Sequence, residues 1–214
     1  MTATLTRDEA AARFEQLPLP TTADEHWRFT DLRGFDPAAL SANGHAPATA
    51  AAMLELDVAG RATVTEGGIE IVSVPEGVTF EPLPQDHPAR LVPADDRFAL
   101  ENLARWHHGL LVRVPKGVEL DRPLYVQVTS GGGALYWRMV VVAEEGARFS
   151  LIEDLSSAGP DVLAYTNAVV ELFLEPGAKI EYVSLQNLSR ERFCSETYSI
   201  FAPGSRKSST TAFV

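Results

Sequence analysis

The sole cysteine, Cys194, is the residue whose type best fits iron or sulfur chemistry. It follows Phe193 in a stretch whose apolar pattern predicts a strand. A thiol binds metal as its thiolate, and activation requires a basic neighbour. A lone cysteine in a strand is more often a small core hydrophobe. We therefore predict a structural role for Cys194, and one cysteine allows neither a disulfide nor a cysteine cluster for metal within the chain.

Two adjacent histidines, His107 and His108, offer imidazole, a common metal ligand. They lie in the last turn of a predicted helix that bears Phe98 and Trp106 and that Gly109 terminates. Adjacent helical residues point about 100° apart, so the two rings cannot easily converge on one ion. Histidine in a last helical turn also interacts favourably with the helix dipole. The sequence therefore predicts a capping or surface role for the pair.

Four acidic residues could suggest paired carboxylates for acid–base catalysis, namely Glu144, Glu145, Glu153 and Asp154. Successive strand residues face opposite sides, so Glu153 and Asp154 tend to diverge. No positioned histidine or arginine accompanies them, and the pattern favours a solvated turn. We assign no catalytic, cofactor-binding or metal-binding residue, and we predict that the chain is not an enzyme.

Two further features could suggest phosphate or base binding, but the residues around them do not favour it. The run Gly131-Gly132-Gly133 lacks the Lys-Ser/Thr of a phosphate loop and joins predicted strands rather than opening a helix. The tryptophans at 27, 106 and 137 are spread through the chain, as expected of core anchors rather than of a base-stacking platform. The sequence therefore predicts no nucleotide site.

The elements that must position these residues follow a repeat. Glu144-Glu145-Gly146-Ala147-Arg148-Phe149 and Glu175-Pro176-Gly177-Ala178-Lys179-Ile180 are each a glycine turn followed by alternating apolar positions. Gly146 and Gly177 lie 31 residues apart, and Gly117 lies 29 residues before Gly146. A fixed period in a β-rich sequence predicts stacked coils, each burying its apolar face on the next. Two tandem hairpins of a β-sandwich are the alternative.

Three regions are predicted along this mainly β chain. Residues 1–94 hold a helix opened by the capping box of Thr6 and Glu9 and a hairpin around Glu66-Gly67-Gly68. Residues 95–204 begin with a helix capped by Asp95 or Asp96 and continue as the first coils of a parallel β-helix. Residues 205–214 break the pattern and are predicted to be an aberrant or unstructured tail.

Net charge and hydropathy indicate what the chain does not bind and where in the cell it works. A formal net charge of −11 and a pI near 4.9 argue against nucleic-acid binding and against adhesion to an anionic membrane. The N-terminal residues 1–14 have no basic-then-apolar signal pattern. No apolar run approaches the ~18–20 residues of a membrane span. We predict a cytoplasmic protein.

Several stretches resemble the SufB/SufD family of iron–sulfur cluster assembly proteins. Glu25-His26-Trp27-Arg28-Phe29-Thr30-Asp31-Leu32 is similar to the motif E-x-W-[KR]-[YF]-T-x-L at the N-terminus of its SufD branch. The others resemble the entry to the family's core and its successive coils, and they are Phe98 to Ala104, Gly109, Val114-Pro115-Lys116-Gly117, Pro123-Leu124, Glu145-Gly146-Ala147 and Glu175-Pro176-Gly177-Ala178. The match is collinear over residues 5–204, and the tryptophan motif favours SufD over SufB.

This resemblance implies a right-handed parallel β-helix and a scaffold role in the SUF iron–sulfur cluster assembly system. It implies pairing with SufB through the β-helices and work with the SufC ATPase. The cluster is then handled by the assembled complex, and no cofactor is assigned to this chain. The later coils, the SufC-binding segment and the metal-proximal residues of the family's second half have no counterpart here, so the chain is predicted to be truncated.

Two other classes remain as alternatives. A β-solenoid enzyme or binding module for polysaccharide would present a groove of clustered aspartates and basic residues, and a negatively charged chain would repel an acidic polymer. A cupin-like barrel needs several His and Glu residues closely spaced on facing strands. The five histidines all lie outside the repeats, and they are His26, His45, His87, His107 and His108.

Overall fold

The computed structural model describes residues 5–30, 32–41, 55–159, 163–188, 192–203 and 208–213. The fold is mainly β, with a small helical region at the N-terminal side. The helices are α1 Arg7–Phe14, α2 Pro37–Ser41 and α3 Arg97–Arg105, with a 3-10 helix at Glu25–Trp27. The strands are β1 Gly60–Thr65, β2 Gly68–Ser73, β3 Thr79–Pro82, β4 His108–Val114, β5 Leu124–Ser130, β6 Gly133–Ala143, β7 Arg148–Ser157, β8 Ala164–Leu174, β9 Lys179–Asn187, β10 Arg192–Phe201 and β11 Ser208–Phe213.

The strands form two sheets, and successive strands from β4 to β10 alternate between them. The five-stranded sheet has the order β2-β1-β5-β7-β9, and the six-stranded sheet has the order β11-β10-β8-β6-β4-β3. From β4 to β10, each strand crosses to the other sheet and pairs in parallel with the strand two places earlier or later. This connectivity is consistent with the predicted β-solenoid, and we call one strand from each sheet with its turns a coil. Tandem hairpins would pair consecutive strands antiparallel, so the sandwich alternative is wrong.

The glycine turns that set the repeat stack on one another. Gly117, Gly146 and Gly177 have φ values of 69°, 74° and 76°, a backbone shape that side chains disfavour. The Gly117 N–H donates to the carbonyl of Glu145 at 2.9 Å, and the Gly146 N–H donates to that of Pro176 at 3.0 Å. The spacing seen in the sequence is therefore the distance along the chain from one coil to the next.

Two apolar cores lie on the two faces of the six-stranded sheet. The inner core fills the space between the sheets, and its members include Val112, Val126, Trp137 and Val170. The outer core lies between the six-stranded sheet and the helices, where Tyr165 of β8 packs with residues of α1 and α3. Strand alternation produces both cores, because Tyr136 and Trp137 are neighbours that face opposite sides.

The helix caps and the hairpin predicted in the first half of the sequence are confirmed. Thr6 and Glu9 form the capping box of α1, with the side chain of each accepting from the other's backbone N–H. Asp96 caps α3 by accepting from the N–H of Ala99 at 2.9 Å. Strands β1 and β2 form the predicted antiparallel hairpin around Glu66. None of the helices in the described ranges has the length and apolar character needed to cross a bilayer.

The end of the chain differs from its sequence-based description. Residues 205–214 were predicted to be an aberrant or unstructured tail, but Ser208–Phe213 forms β11, which runs antiparallel to β10. The prediction is therefore wrong for that segment, because a run of serines and threonines satisfies its backbone hydrogen bonds by pairing with β10. The remaining positions of the predicted tail lie outside the described residues.

Replacing Gly109 with alanine is expected to lower the free energy of unfolding by about 1–3 kcal/mol. A Cβ atom there would lie 2.7 Å from Leu83 Cβ and 2.9 Å from a ring carbon of Trp106. Strand β4 would have to move away from Leu83 and Trp106. Urea denaturation of parent and variant measures the difference. The matched control is Gly67→Ala, whose Cβ would meet nothing closer than 3.5 Å, and an equal loss in both variants would contradict the steric argument.

Candidate functional site

The interior between the sheets changes from apolar to polar along the stack of coils. One row of the five-stranded sheet runs through Ala62, Val126, Glu153 and Ser184, each paired with the next in register. The facing row of the six-stranded sheet runs through Trp137, Ala168, Glu196 and Ala212. The first coils therefore bury hydrocarbon at positions where the last coils bury carboxylates.

The two interior carboxylates share one hydrogen-bond network. Glu153 is fully buried and Glu196 is 2% exposed. The hydroxyl of Tyr182 donates to Glu153 Oε2 at 2.5 Å, and that of Tyr198 donates to the same oxygen at 3.1 Å. The side-chain amide of Gln186 donates to Glu196 Oε2. Strands β7, β9 and β10 thus bring together acidic and hydroxyl groups from both sheets.

Both carboxyl groups of this network hold protons more tightly than ordinary glutamates. Burial raises the pKa of Glu153 to about 8, and the nearby charge of Glu196 adds to the rise against the opposing hydroxyl hydrogen bonds. Burial also raises the pKa of Glu196, against the hydrogen bonds from Tyr198 and Gln186. The arrangement can therefore take up and release a proton near neutral pH.

The predicted solvated turn describes only half of the acidic set. Glu145 is exposed and Glu144 is partly exposed, and both lie at the turn between β6 and β7. Glu153 and Asp154 lie within β7 and are both fully buried, so the prediction is wrong for them. Their side chains do diverge as predicted, because Glu153 faces the interior and Asp154 faces outward, where it accepts from the hydroxyl of Tyr125.

Cys194 lies in the interior on the same strand as Glu196. It pairs in register with Thr166 of β8, is 1% exposed and belongs to the inner apolar core. This is the location that a small core hydrophobe would take, and its structural role stays a prediction. Within the described ranges, no group of three or more His, Cys, Asp or Glu residues is placed to hold a metal ion.

The two histidines lie beyond α3 rather than in its last turn. Helix α3 ends at Arg105, and His108 is the first residue of β4. The helix-capping role is therefore wrong, because the backbone N–H of His107 pairs with the carbonyl of Tyr136 and extends the chain toward the sheet. The Nε2 atom of His108 lies 3.1 Å from the carbonyl oxygen of Glu66. The two ring centroids are 6.5 Å apart.

The glycine run connects β5 to β6, as the sequence predicted. The carboxylate of Glu66 accepts from the N–H of Gly131 at 2.8 Å and from the hydroxyl of Ser130 at 2.5 Å. These contacts tie the run to the β1–β2 hairpin. The segment therefore fastens a coil to the hairpin, and no helix follows it as a phosphate loop would require.

A second polar network fixes helix α3 to the outer face of the six-stranded sheet. The amide of Asn102 donates to the carbonyls of Trp137 and Asn167 at 3.0 and 2.8 Å. The carboxylate of Glu101 accepts from the hydroxyls of Tyr136 and Tyr165 at 3.1 and 3.2 Å, and burial raises its pKa. All four side chains that form these hydrogen bonds are buried, so this network holds the helix in register with two coils.

A buried ion pair ties the proline-rich connector to the same sheet face. Arg138 of β6 and Glu171 of β8 form a salt bridge with side chains 0% and 1% exposed. Glu171 also accepts from the backbone N–H groups of Arg90 and Leu91 at 2.8 and 2.7 Å. The guanidinium of Arg138 lies 5.1 Å from the ring of Trp106. Because both side chains of the pair are buried, these contacts hold the connector against the sheet.

Strand β9 presents the uncovered edge of the stack. Within the part of the chain that the structure describes, β9 is the last strand of the five-stranded sheet. Its residues are exposed or half-buried throughout, in contrast to the buried β5 and β8. Ile180 and Tyr182 pack partly on the inner core from this edge. A terminal strand with partly exposed apolar residues is a surface suited to strand pairing with another chain.

Several members of the interior network were missed by reasoning from the sequence. Glu196, Tyr182 and Tyr198 received no role, although the phase of alternation contained a signal. Leu151 and Leu155 both face the inner core, and Glu153 shares their phase. The same phase could have identified an inward carboxylate, but the partners on β9 and β10 depend on the register between coils.

Comparisons with known proteins agree on one family. Residues 126–211 match the family described as "SUF system FeS cluster assembly, SufBD core domain". A Staphylococcus epidermidis protein described as "Iron-sulfur cluster assembly SufBD family protein" is 34% identical over 110 residues, which are 50% of this chain and 24% of that protein. Similarly described proteins of Staphylococcus haemolyticus and Staphylococcus aureus are each 34% identical, over 110 and 102 residues. In those two, the matched segment covers 50% and 46% of this chain but 24% and 22% of the relatives, so the chain spans about a quarter of their length.

Proposed function

We propose that the chain is a scaffold subunit in iron–sulfur cluster assembly. The proposal proceeds from its membership of the SufB/SufD family over about half of its length. One observation carries the proposal. The family match over residues 126–211 coincides with the strands from β5 to β11, which form the stacked coils. In this role the cluster is cargo of the assembled complex, and the chain contributes backbone edge and apolar surface rather than catalytic groups.

More specifically, we assign the chain to the SufD branch, working in the cytoplasm with SufB and the SufC ATPase. The assignment is supported by the tryptophan motif near the N-terminus. Trp27 packs its ring 5.2 Å from that of Phe98 in α3, so the motif fastens the N-terminal segment to the helix. Phe29 of the same motif is 89% exposed, with the guanidinium of Arg28 4.7 Å from its ring.

The uncovered edge at β9 is the surface that we assign to SufB. A partner with the same parallel strands can extend the five-stranded sheet through main-chain hydrogen bonds. Val183 and Leu185 are half-buried on this strand and offer apolar contact beside the edge. Edge strands resist such pairing when they carry lysine, which gives a direct way to block the contact.

Val183→Lys is expected to reduce the SufB recovered with the tagged chain at least tenfold. The tagged 214-residue chain is co-expressed with the SufB and SufC proteins of the source organism, purified by its tag and quantified by mass spectrometry. The lysine adds a charge beside the β9 edge, where a partner strand would desolvate it. Recovery of SufC is measured in the same samples.

The matched control is Val72→Lys on β2, the strand at the opposite edge of the same sheet. Val72 is 53% exposed, so the substitution adds the same charge without reaching the assigned surface. Recovery of SufB should be unchanged in this variant. If the parent chain recovers no SufB, the SufD assignment is wrong. If both lysine variants lose SufB equally, the assignment of the β9 edge is wrong.

A further inference from the structure

The buried carboxylates of Glu153 and Glu196 belong to opposite sheets but meet in the interior. Glu153 projects from β7 of the five-stranded sheet, and Glu196 projects from β10 of the six-stranded sheet. The hydroxyl of Tyr198 is within hydrogen-bonding reach of both carboxyl groups. Neither the outer-face network nor the assigned β9 edge uses this pair.

The described surroundings of the pair contain no positive charge. None of the ion pairs found among the described residues includes Glu153 or Glu196. Strand β9 contributes the Tyr182 hydroxyl, and the strand neighbours on β5 and β8 are the apolar Val126 and Ala168. Two ionised carboxylates in such a site would repel each other without a counter-ion.

The numbers of hydrogen-bond donors and acceptors at the pair also disfavour two ionised carboxylates. Two ionised carboxylates offer four acceptor oxygens, while the described donors are the hydroxyls of Tyr182 and Tyr198 and the amide of Gln186. Among the described residues, Oε1 of Glu153 and Oε1 of Glu196 have no hydrogen-bond partner. A proton on either carboxyl group converts one of these acceptors into a donor and removes one of the two charges.

We propose that Glu153 and Glu196 bind one proton between them, and that the packing of β9 and β10 onto the earlier coils is coupled to uptake of that proton from water. The proton enters when the last coils close, and it leaves when they open and both carboxylates become solvated. Tyr182 and Tyr198 are half-buried and Gln186 is exposed, so these side chains of β9 and β10 separate the buried pair from solvent.

The direction of the pH dependence follows from linkage. The folded chain holds a proton that the unfolded chain, with ordinary glutamates, has lost at neutral pH. Unfolding therefore releases a proton, and the unfolding equilibrium constant rises with pH up to tenfold per pH unit. Burial and the second carboxylate raise the pKa of Glu153 to about 8, so this dependence covers the interval from the ordinary glutamate pKa to about pH 8.

Protons released on unfolding provide the direct test. The full chain is unfolded with urea at pH 7 in weakly buffered solution containing a pH indicator, and the double variant Glu153→Gln with Glu196→Gln is treated identically. The glutamines keep the shape of the side chains and cannot ionise. We expect the double variant to release about one proton fewer than the parent and its urea midpoint to change less between pH 5 and pH 8. Equal proton release by the two proteins would overturn the proposal.

The matched control is Glu181→Gln, which replaces an exposed glutamate on β9 that accepts from Ser150 Oγ at 3.0 Å. It should release as many protons as the parent.

Manganese is added alone to parent and double variant at pH 8. Stabilisation of the parent only would make the pair a cation site instead and would overturn the proposal.

Hydrogen exchange of the parent chain keeps the proposal testable if the double variant does not fold. After correction for intrinsic exchange rates, peptides from β9 and β10 should lose protection between pH 6 and pH 9, while peptides from β4 and β6 should keep theirs. Equal changes in all four strands would contradict coupling at the last coils. The test requires no SufB or SufC, so its outcome is independent of the proposed function.

Discussion

Replacing Glu171 with leucine is expected to lower the free energy of unfolding by about 3–5 kcal/mol. The substitution leaves the guanidinium of Arg138 buried without its counter-ion, and the side chains of this pair are 0% and 1% exposed. It also removes the acceptor for the N–H groups of Arg90 and Leu91. Burial already lowers the pKa of Arg138, so an unpaired charge there is especially costly. Urea denaturation of parent and variant at pH 7 measures the loss.

The matched control is Glu144→Leu, which breaks the exposed pair between Arg113 and Glu144. Its N–O distance is 3.0 Å and its side chains are 47% and 27% exposed, so the expected loss is about 0–1 kcal/mol. The double variant Arg138→Met with Glu171→Leu should recover part of the stability, because it removes both charges. A loss below about 1 kcal/mol for Glu171→Leu would contradict a role for the ion pair in the fold.

This ion pair shows how the N-terminal region and the coils form one structure. Glu171 lies on β8, yet two of its three described partners come from the connector before α3. Asn102 of α3 makes the corresponding link from the helix, by donating to carbonyls on β6 and β8. Because both links are polar and buried, they fix the position of the helix along the coils, which apolar packing alone does not specify.

The coil period was predictable because it depends on local backbone geometry. Gly117, Gly146 and Gly177 all adopt positive φ, so each turn appears in the sequence as a glycine followed by alternating apolar positions. The hairpin at Glu66-Gly67-Gly68 and the caps at Thr6 and Asp96 are equally local. Such features require only nearby residues, and the sequence contains all of them.

The interior site was not predictable in the same way. The inward direction of Glu153 follows from its phase with Leu151 and Leu155, but a carboxylate among leucines is ordinarily expected outside. Its partners Tyr182 and Tyr198 lie 29 and 45 residues further along the chain. Their meeting depends on the register between sheets, which forms only when the coils stack.

The C-terminal boundary of α3 was not predictable from nearby residues either. The sequence extended the helix to Gly109, whereas the structure ends it at Arg105 and begins β4 at His108. Competition with the sheet decides this boundary, because the N–H of His107 pairs with the carbonyl of Tyr136 on β6. A long-range strand pairing therefore overrode a local stop signal and with it the predicted helix-capping role of the histidines, whereas the predicted surface role fits His107, which is exposed.

Replacing Trp137 with alanine is expected to lower the free energy of unfolding by about 3–5 kcal/mol. Trp137 is fully buried between the sheets, where its neighbours in register are His108 on β4 and Ala168 on β8. Its loss leaves a cavity that the stacked coils cannot close, because β6 is held on both sides by parallel pairing with β4 and β8. Denaturant unfolding followed by far-UV circular dichroism, which does not depend on the removed indole, measures the change.

Two further substitutions separate this cavity effect from a general intolerance of change. Trp137→Phe keeps most of the apolar volume, and the indole Nε1 has no hydrogen-bond partner among the described residues, so a loss of only about 1–2 kcal/mol is expected. Trp27→Ala removes a half-buried tryptophan from the N-terminal segment and should cost less than Trp137→Ala. If Trp27→Ala costs more, the outer core rather than the interior between the sheets dominates the stability of the chain.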